Sequence, residues 1–239
     1  MSKTILVTGA SSGIGRAIAI ACAKCGNTVV LTGRNITRLE ETRAQMVGDE
    51  HIIIPADLTD EAQRRALAEK LPVLNGVVHC AGIGSRVLCK MLEQDDVQHV
   101  MEANFAAPVL LQTALIQEKK MAANSSIVFM ASAAANMPSV GNAIYSASKG
   151  ALISYAKCLA LELAPRKIRV NCISPAMVWT DLALVGATEE QLHEAEQAYP
   201  LKRYARPEDI APMAVYLLSD AAAWITGSNY ELTGGTQTL

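Results

Sequence analysis

Short apolar, β-branched runs recur along the chain between longer segments whose apolar residues return every three to four positions. The runs TILVT (4–8), TVVLT (28–32), HIIIP (51–55), GVVH (76–79), SIVFM (126–130), IRVNCI (168–173) and SNYEL (228–232) are predicted strands. Helices are predicted near 14–25, 36–47, 60–70, 95–120, 144–163 and 207–218. Strands alternating with helices of this length build βαβ units, hence a parallel sheet covered by helices on both faces. Right-handed crossovers then bring the first strand near the centre. The fold expected is α/β, a doubly wound parallel sheet of about seven strands, with residues 1–239 as a single domain. Residues from about 178 to 206 break the alternation, being longer and more polar. A loop of that size in a compact domain is usually functional, and a substrate lid is expected there.

Composition narrows the picture. A chain of 239 residues suits one α/β domain, and 51% hydrophobic residues with only 4% aromatic ones suit a core of Ala, Val, Ile and Leu. The net charge of −2 comes with no basic block, which gives no support to nucleic-acid binding. No apolar run reaches the roughly 18 residues of a membrane span. The start, MSKTILVTG, lacks the features of a signal peptide. The six cysteines, at 22, 25, 80, 89, 158 and 172, are therefore expected to be free thiols in a reducing cytoplasm. Cys22 and Cys25 form a C-x-x-C inside a predicted helix, but there is no second pair, and no metal site is expected.

Candidate chemistry begins directly after the first strand. TGASSGIGR (8–16) places Gly9, Gly13 and Gly15, with Ser11, Ser12 and Ile14 between them, at the opening of a helix. Glycines let the backbone approach a pyrophosphate, and the helix N-terminus offers free N–H groups and a favourable dipole. Far along the chain, YSASKGALISYA (145–156) sets Tyr145 and Lys149 one helical turn apart on the same side.

T-G-x-x-x-G-x-G followed by Y-x-x-x-K resembles the short-chain dehydrogenase/reductase family, from about residue 4 to the C-terminus. Within that family PLKR (200–203), RPEDIA (206–211), SDAAAWITG (219–227) and TGG (233–235) are most similar to 3-oxoacyl-[acyl-carrier-protein] reductases. The resemblance implies a Rossmann fold that binds a nicotinamide cofactor. About twenty residues past the glycine loop, where a carboxylate would select NAD, the chain has TGRN (32–35) and no acid. Arg34 there suits the 2′-phosphate of NADP(H), with Arg38 as a possible helper, although Ser12 stands where NADP-preferring members often carry a second basic residue. By the same resemblance Asp57 bonds the adenine amine and Leu58 contacts its ring. HCAG (79–82) occupies the N-N-A-G position, so Ala81 and Gly82 pass close to the cofactor, while His79 and Cys80 replace both asparagines. His79 is read as a strand-end packing residue. SPAMVWT (174–180) resembles P-G-x-V-x-T, which gives Pro175, Val178 and Thr180 to the nicotinamide carboxamide, with Ala176 in place of glycine.

The family's reaction assigns the remaining positions. Carbonyl reduction needs a proton donor where negative charge develops on oxygen. Tyr145 matches the general acid, and Lys149 is expected to lower its pKa and to reach the nicotinamide ribose. Ser132, in ASAAA, matches the serine that bonds the substrate oxygen, and Asn104, in MEANF, the asparagine whose side chain or backbone links through water to Lys149. The implied activity is an NADPH-dependent ketoreductase acting on a 3-oxoacyl group of an acyl carrier protein. A dehydrogenase of a free small or lipophilic alcohol is the alternative, and a non-catalytic NADP-binding sensor a remote one. Met177, Leu182, Leu184 and Val185 would give the lid an apolar side. Lys119-Lys120 and Arg166-Lys167 either stand beside the mouth, facing an acidic carrier, or are solvated charges at helix C-termini. Helices 95–120 and 144–163 are expected to build a homodimer or homotetramer.

Overall fold

Strands β1 (Thr4–Thr8), β2 (Thr28–Thr32), β3 (Ile52–Ile53), β4 (Leu74–His79), β5 (Met121–Met130), β6 (Arg169–Pro175) and β7 (Asn229–Leu232) form one sheet in the order 3-2-1-4-5-6-7. Every neighbouring pair is parallel. This computed structural model describes residues 2–185 and 187–237. Gly186, inside the expected lid, and the chain's terminal residues Met1, Thr238 and Leu239 lie outside the described set.

Alternating side chains of the strands supply both halves of the core, as the period of two requires. Leu6, Val30, Val77, Ile127, Phe129 and Val170 face one layer, built on α3 (Glu61–Lys70), α5 (Ala107–Gln117) and α6 (Ala143–Leu163). Ile5, Val7, Leu31, Val78, Val128 and Ile173 face the other, built on α1 (Gly13–Lys24) and α8 (Pro207–Leu218). All strands point the same way, so their carboxyl ends share one edge, where a doubly wound sheet leaves a crevice.

Several boundaries differ from the sequence expectation. Helix α2 (Ile36–Arg43) stops four residues short of 47, and β5 starts at Met121 rather than 126. The single helix expected over 95–120 is α4 (Gln94–Met101), a π-turn (Glu102–Ala106) and α5. Pro108 has no N–H to offer the carbonyl four residues back, that of Asn104. A wider π-turn around Asn104 accommodates this gap. The region after β6 carries a helix that was not expected, α7 (Glu189–Glu196), whose N-terminus is closed by a reciprocal Thr188–Gln191 capping box. Its tail folds back on β6's extension, where Trp179 N donates to Ala205 O at 2.9 Å and Ala205 N to Met177 O at 3.0 Å. Leu192, Tyr199 and Tyr204 form a small apolar cluster there. Among the described residues no helix is long and apolar enough to cross a membrane.

Candidate active site

A cavity of about 1180 Å³ opens along the carboxyl edge of the sheet, and the sequence-derived positions converge on it. Gly9, Ser11, Ser12, Gly13, Ile14, Gly15, Arg34, Asp57 and Leu58 line one end. Ala81, Gly82, Ser132, Tyr145, Lys149, Pro175, Val178 and Thr180 line the rest. Asn104 does not face the cavity but is completely buried behind it.

The glycine loop is held in place by its neighbours. Gly9 sits at φ +64°, and a Cβ there would come within 2.9 Å of Ala81 N and Cα. A Cβ on Gly15 would run into the Gly9 carbonyl oxygen. The cradle is therefore open only because these residues lack side chains. Thr8, which sequence reasoning did not single out, ties the loop to β4: its hydroxyl accepts from Cys80 N at 2.9 Å and Ala81 N at 3.1 Å. Arg16 fixes the other side, donating to Ser11 O at 2.6 Å and to Thr42 Oγ1 at 3.0 Å. Thr180, beyond β6, lies against Gly13. Such a bare backbone cradle ahead of a helix N-terminus fits a dinucleotide pyrophosphate.

At the cavity's end near the glycine cradle, Asp57 accepts from Thr59 Oγ1 at 2.7 Å and Thr59 N at 2.9 Å, bonds that hold its carboxyl below the usual range, with Arg34 nearby adding to the effect. Arg38 is tied across the cavity to Asp181 by a 3.1 Å ion pair. Arg64 donates to Leu58 O at 2.7 Å and so fixes the turn that carries Leu58.

At the other end, Ser132 stands beside the Tyr145 phenol and lowers its pKa, and the Lys149 ammonium stands 5.8 Å from the Tyr145 ring centroid. The expectation that Lys149 lowers the Tyr145 pKa is not met in this arrangement. Burial raises the phenol, and Ser132 is the group that opposes the rise. The ammonium is instead engaged with the Met130 carbonyl at 3.0 Å, and burial brings it down to about 8. The Cys80 thiol beside it is pushed up to about 12 by burial, so it stays neutral.

Asn104 is not a surface polar residue. Its Oδ1 accepts from Ile83 N at 2.8 Å, and its Nδ2 donates to Ile83 O at 3.0 Å and to Ser148 Oγ at 3.2 Å. Ser148 in turn donates to the Tyr145 carbonyl at 2.7 Å. The side chain thus clamps the Gly82–Ile83 turn to the helix of Tyr145 and Lys149. His79 is a packing residue, as read: it stacks on Phe129 at 4.6 Å and pairs with Gln112 at 3.0 Å.

The two basic pairs are not where they were expected. Lys119-Lys120 precede β5 and Arg166-Lys167 precede β6, so in a parallel sheet both stand at the amino edge, opposite the cavity. Lys120 Nζ donates to Glu69 O and Leu71 O, closing the end of α3, and Arg166 donates to Met121 O.

Residues 9–237 match the family model described as Enoyl-(Acyl carrier protein) reductase. A solved structure described as a short chain dehydrogenase/reductase family protein superposes with a TM-score of 0.88 at 32% identity, covering 98% of this chain and 96% of that one. The chain belongs to the short-chain dehydrogenase/reductase family. Its relatives within that family differ in what they are named for. The 3-oxoacyl-[acyl-carrier-protein] reductase FabG of Rickettsia conorii is 35% identical over 235 residues, covering 98% of this chain and 96% of the relative. The D-threitol dehydrogenase of Mycolicibacterium smegmatis is 34% identical over 239 residues, covering 98% and 92%. Short-chain dehydrogenase/reductases bind nicotinamide cofactors, and the present chain is an oxidoreductase of that family.

Proposed function

We propose that the protein is an NADPH-dependent ketoreductase that reduces 3-oxoacyl thioesters carried on an acyl carrier protein. The observation that carries this reading is the meeting of Ser132, Tyr145 and Lys149 on one wall of a cavity whose far end is the glycine cradle. When bound, the nicotinamide supplies the hydride. Gly9, Ser11, Ser12, Gly13, Ile14 and Gly15 hold the pyrophosphate. Arg34 takes the 2′-phosphate, Asp57 and Leu58 the adenine, and Pro175, Val178 and Thr180 the carboxamide, with Ala81 and Gly82 leaving room beneath. Ser132 orients the substrate carbonyl. Tyr145, kept protonated by its raised pKa, donates the proton to the oxygen as charge develops there. Lys149 keeps a positive field beside the resulting phenolate, and Asn104 fixes the turn and helix that carry these groups.

Support for the substrate comes from the carrier-protein names of the Rickettsia relative and of the family model. Met177, Leu182 and Val185 also give the cavity an apolar wall on the side of 178–206, the proposed lid. Leu110 and Leu161 stand exposed on α5 and α6, which suits a homodimer or homotetramer. The threitol dehydrogenase relative, of nearly equal identity, favours a second reading: oxidation and reduction of a free small alcohol and ketone. The deciding experiment follows NADPH oxidation with acetoacetyl-carrier protein, acetoacetyl-pantetheine, the corresponding enoyl thioester and free ketones. Preference for the carrier-bound 3-oxo substrate supports the first reading. Turnover confined to free ketones establishes the second, reduction of the enoyl thioester alone refutes both, and no turnover of any of the four leaves only a cofactor-binding sensor.

A further inference from the structure

The charges lining the cavity are unevenly accounted for. Arg38 pairs with Asp181, Lys149 is held by Met130 O, and Arg34 stands beside Asp57. Arg86 also lines the cavity, yet it makes no hydrogen bond or ion pair among the described residues. Its charge is felt at the Tyr204 phenol.

The position of Arg86 is fixed although its side chain is exposed. Residues 83–86 run without helix or strand along the cavity wall, and Val87 N donates to Gly141 O at 2.9 Å, just ahead of α6. Gly84, in the same run, packs directly against Leu182 and Val185, whose side chains would meet a Cβ there at 3.1 and 3.7 Å. Arg86 lies four residues beyond Gly82, whose missing Cβ would stand 3.3 Å from Lys149 Nζ. A fully extended chain covers at most about 14 Å over that span. The substrate half of the cavity therefore has proton-donating groups at its base, an apolar wall along its length and an unpaired guanidinium beyond.

We propose that Arg86 is a specificity-determining residue that binds an anionic group on the non-reacting end of the substrate. Guanidinium forks recognise phosphate and carboxylate oxygens through paired charge-assisted hydrogen bonds. If the thioester reading above holds, the anion is the phosphate of a 4′-phosphopantetheine arm. If the substrate is a free ketone, it is a carboxylate separated from the carbonyl by several bonds.

Two matched pairs test this: the acetoacetyl thioesters of pantetheine and of 4′-phosphopantetheine, and a γ-keto acid with its ethyl ester. Wild-type protein should favour the anionic member of one pair by roughly tenfold or more in kcat/KM, as for a charged hydrogen bond. Arg86→Gln should remove that preference and Arg86→Glu reverse it. The neutral member and the KM for NADPH should stay within about twofold of wild type, since Arg86 makes no hydrogen bond with Ser132, Tyr145 or Lys149 and meets only the charged end of the substrate. Turnover with no charge preference, or a preference that survives both substitutions, overturns the proposal and leaves the thioester reading standing if the neutral thioester reacts. Equal losses on both members of a pair show a structural role and also overturn it. Failure of both thioesters, with an Arg86-dependent preference for the keto acid, overturns the thioester reading alone. No turnover of any of the four overturns both.

Discussion

His79 makes the stability of this protein sensitive to mild acid. The ring is 2% exposed, stacked on Phe129, and bonded through Nε2 to Gln112 Oε1, while Nδ1 has no hydrogen-bond partner. Burial therefore disfavours the imidazolium and brings the pKa from 6.5 down to about 4. The unfolded chain takes up a proton near pH 6.5, whereas the folded chain resists until about 4. Stability from this residue is thus fully present above pH 6.5 and is lost as the pH falls through that window. The displacement corresponds to roughly 3 kcal/mol between the two protonation states. About 2 kcal/mol of that is already gone at pH 5. Urea unfolding of wild type and His79→Asn, at fixed protein concentration and ionic strength, isolates the effect, because every other titrating group is common to both. From pH 7 to pH 5 the wild type should lose about 2 kcal/mol more than the variant. Parallel pH profiles would refute the reasoning, whatever the absolute stability of the variant.

Three further outcomes test the site and its surroundings. Tyr145→Phe should lower turnover more than about tenfold while NADPH binding stays nearly intact, since the hydroxyl acts on the substrate; a smaller loss removes Tyr145 as the acid. Arg34→Ala should weaken NADPH by roughly 1.5–3 kcal/mol while sparing NADH, read by titrating both cofactors; equal weakening means Arg34 does not meet the 2′-phosphate. Glu196 accepts from Trp179 Nε1, His193 Nδ1 and Tyr204 N. In a Trp224→Phe background, Glu196→Ala should red-shift the emission of Trp179 and raise the KM for the ketone; unchanged emission would show that the carboxylate does not hold the indole.

The parts of this molecule that could be read from the sequence are those whose information is local. Strand, glycine turn and helix follow one another within residues 4–24, and Tyr145 and Lys149 need only a helical turn to meet. Features set by distant contacts were not legible. Of the two ways Asn104 was expected to link through water to Lys149, by side chain or by backbone, the side-chain amide is consumed by Ile83 and Ser148, 21 and 44 residues away. The π-turn around it has a local signal in Pro108, four residues on. The tuning of Tyr145 was misjudged because spacing gives proximity to Lys149 but says nothing of burial or of the Met130 carbonyl. The basic pairs were placed by likeness alone, although their position before parallel strands already put them at the opposite edge. Glu196, Trp179 and His193 belong to no motif, so only the fold brings them together.

The small cluster of Leu192, Tyr199 and Tyr204 packs on Ala176, Met177, Trp179, Ala183 and Ala187, apart from the two layers that flank the sheet. The excursion after β6 therefore has cohesion of its own. It meets the body where Ala176 N donates to Leu232 O, where Thr180 lies against Gly13, where Leu182 and Val185 reach Gly84, and through the Arg38–Asp181 pair. Tyr145, Lys149 and Ser132, by contrast, are mounted on α6 and at the end of β5, inside the sheet's own packing. Natural selection can consequently redraw Met177, Leu182 and Val185, and with them the range of molecules admitted, without retuning the machinery of proton transfer. A scaffold divided in this way can change customers while keeping its tools.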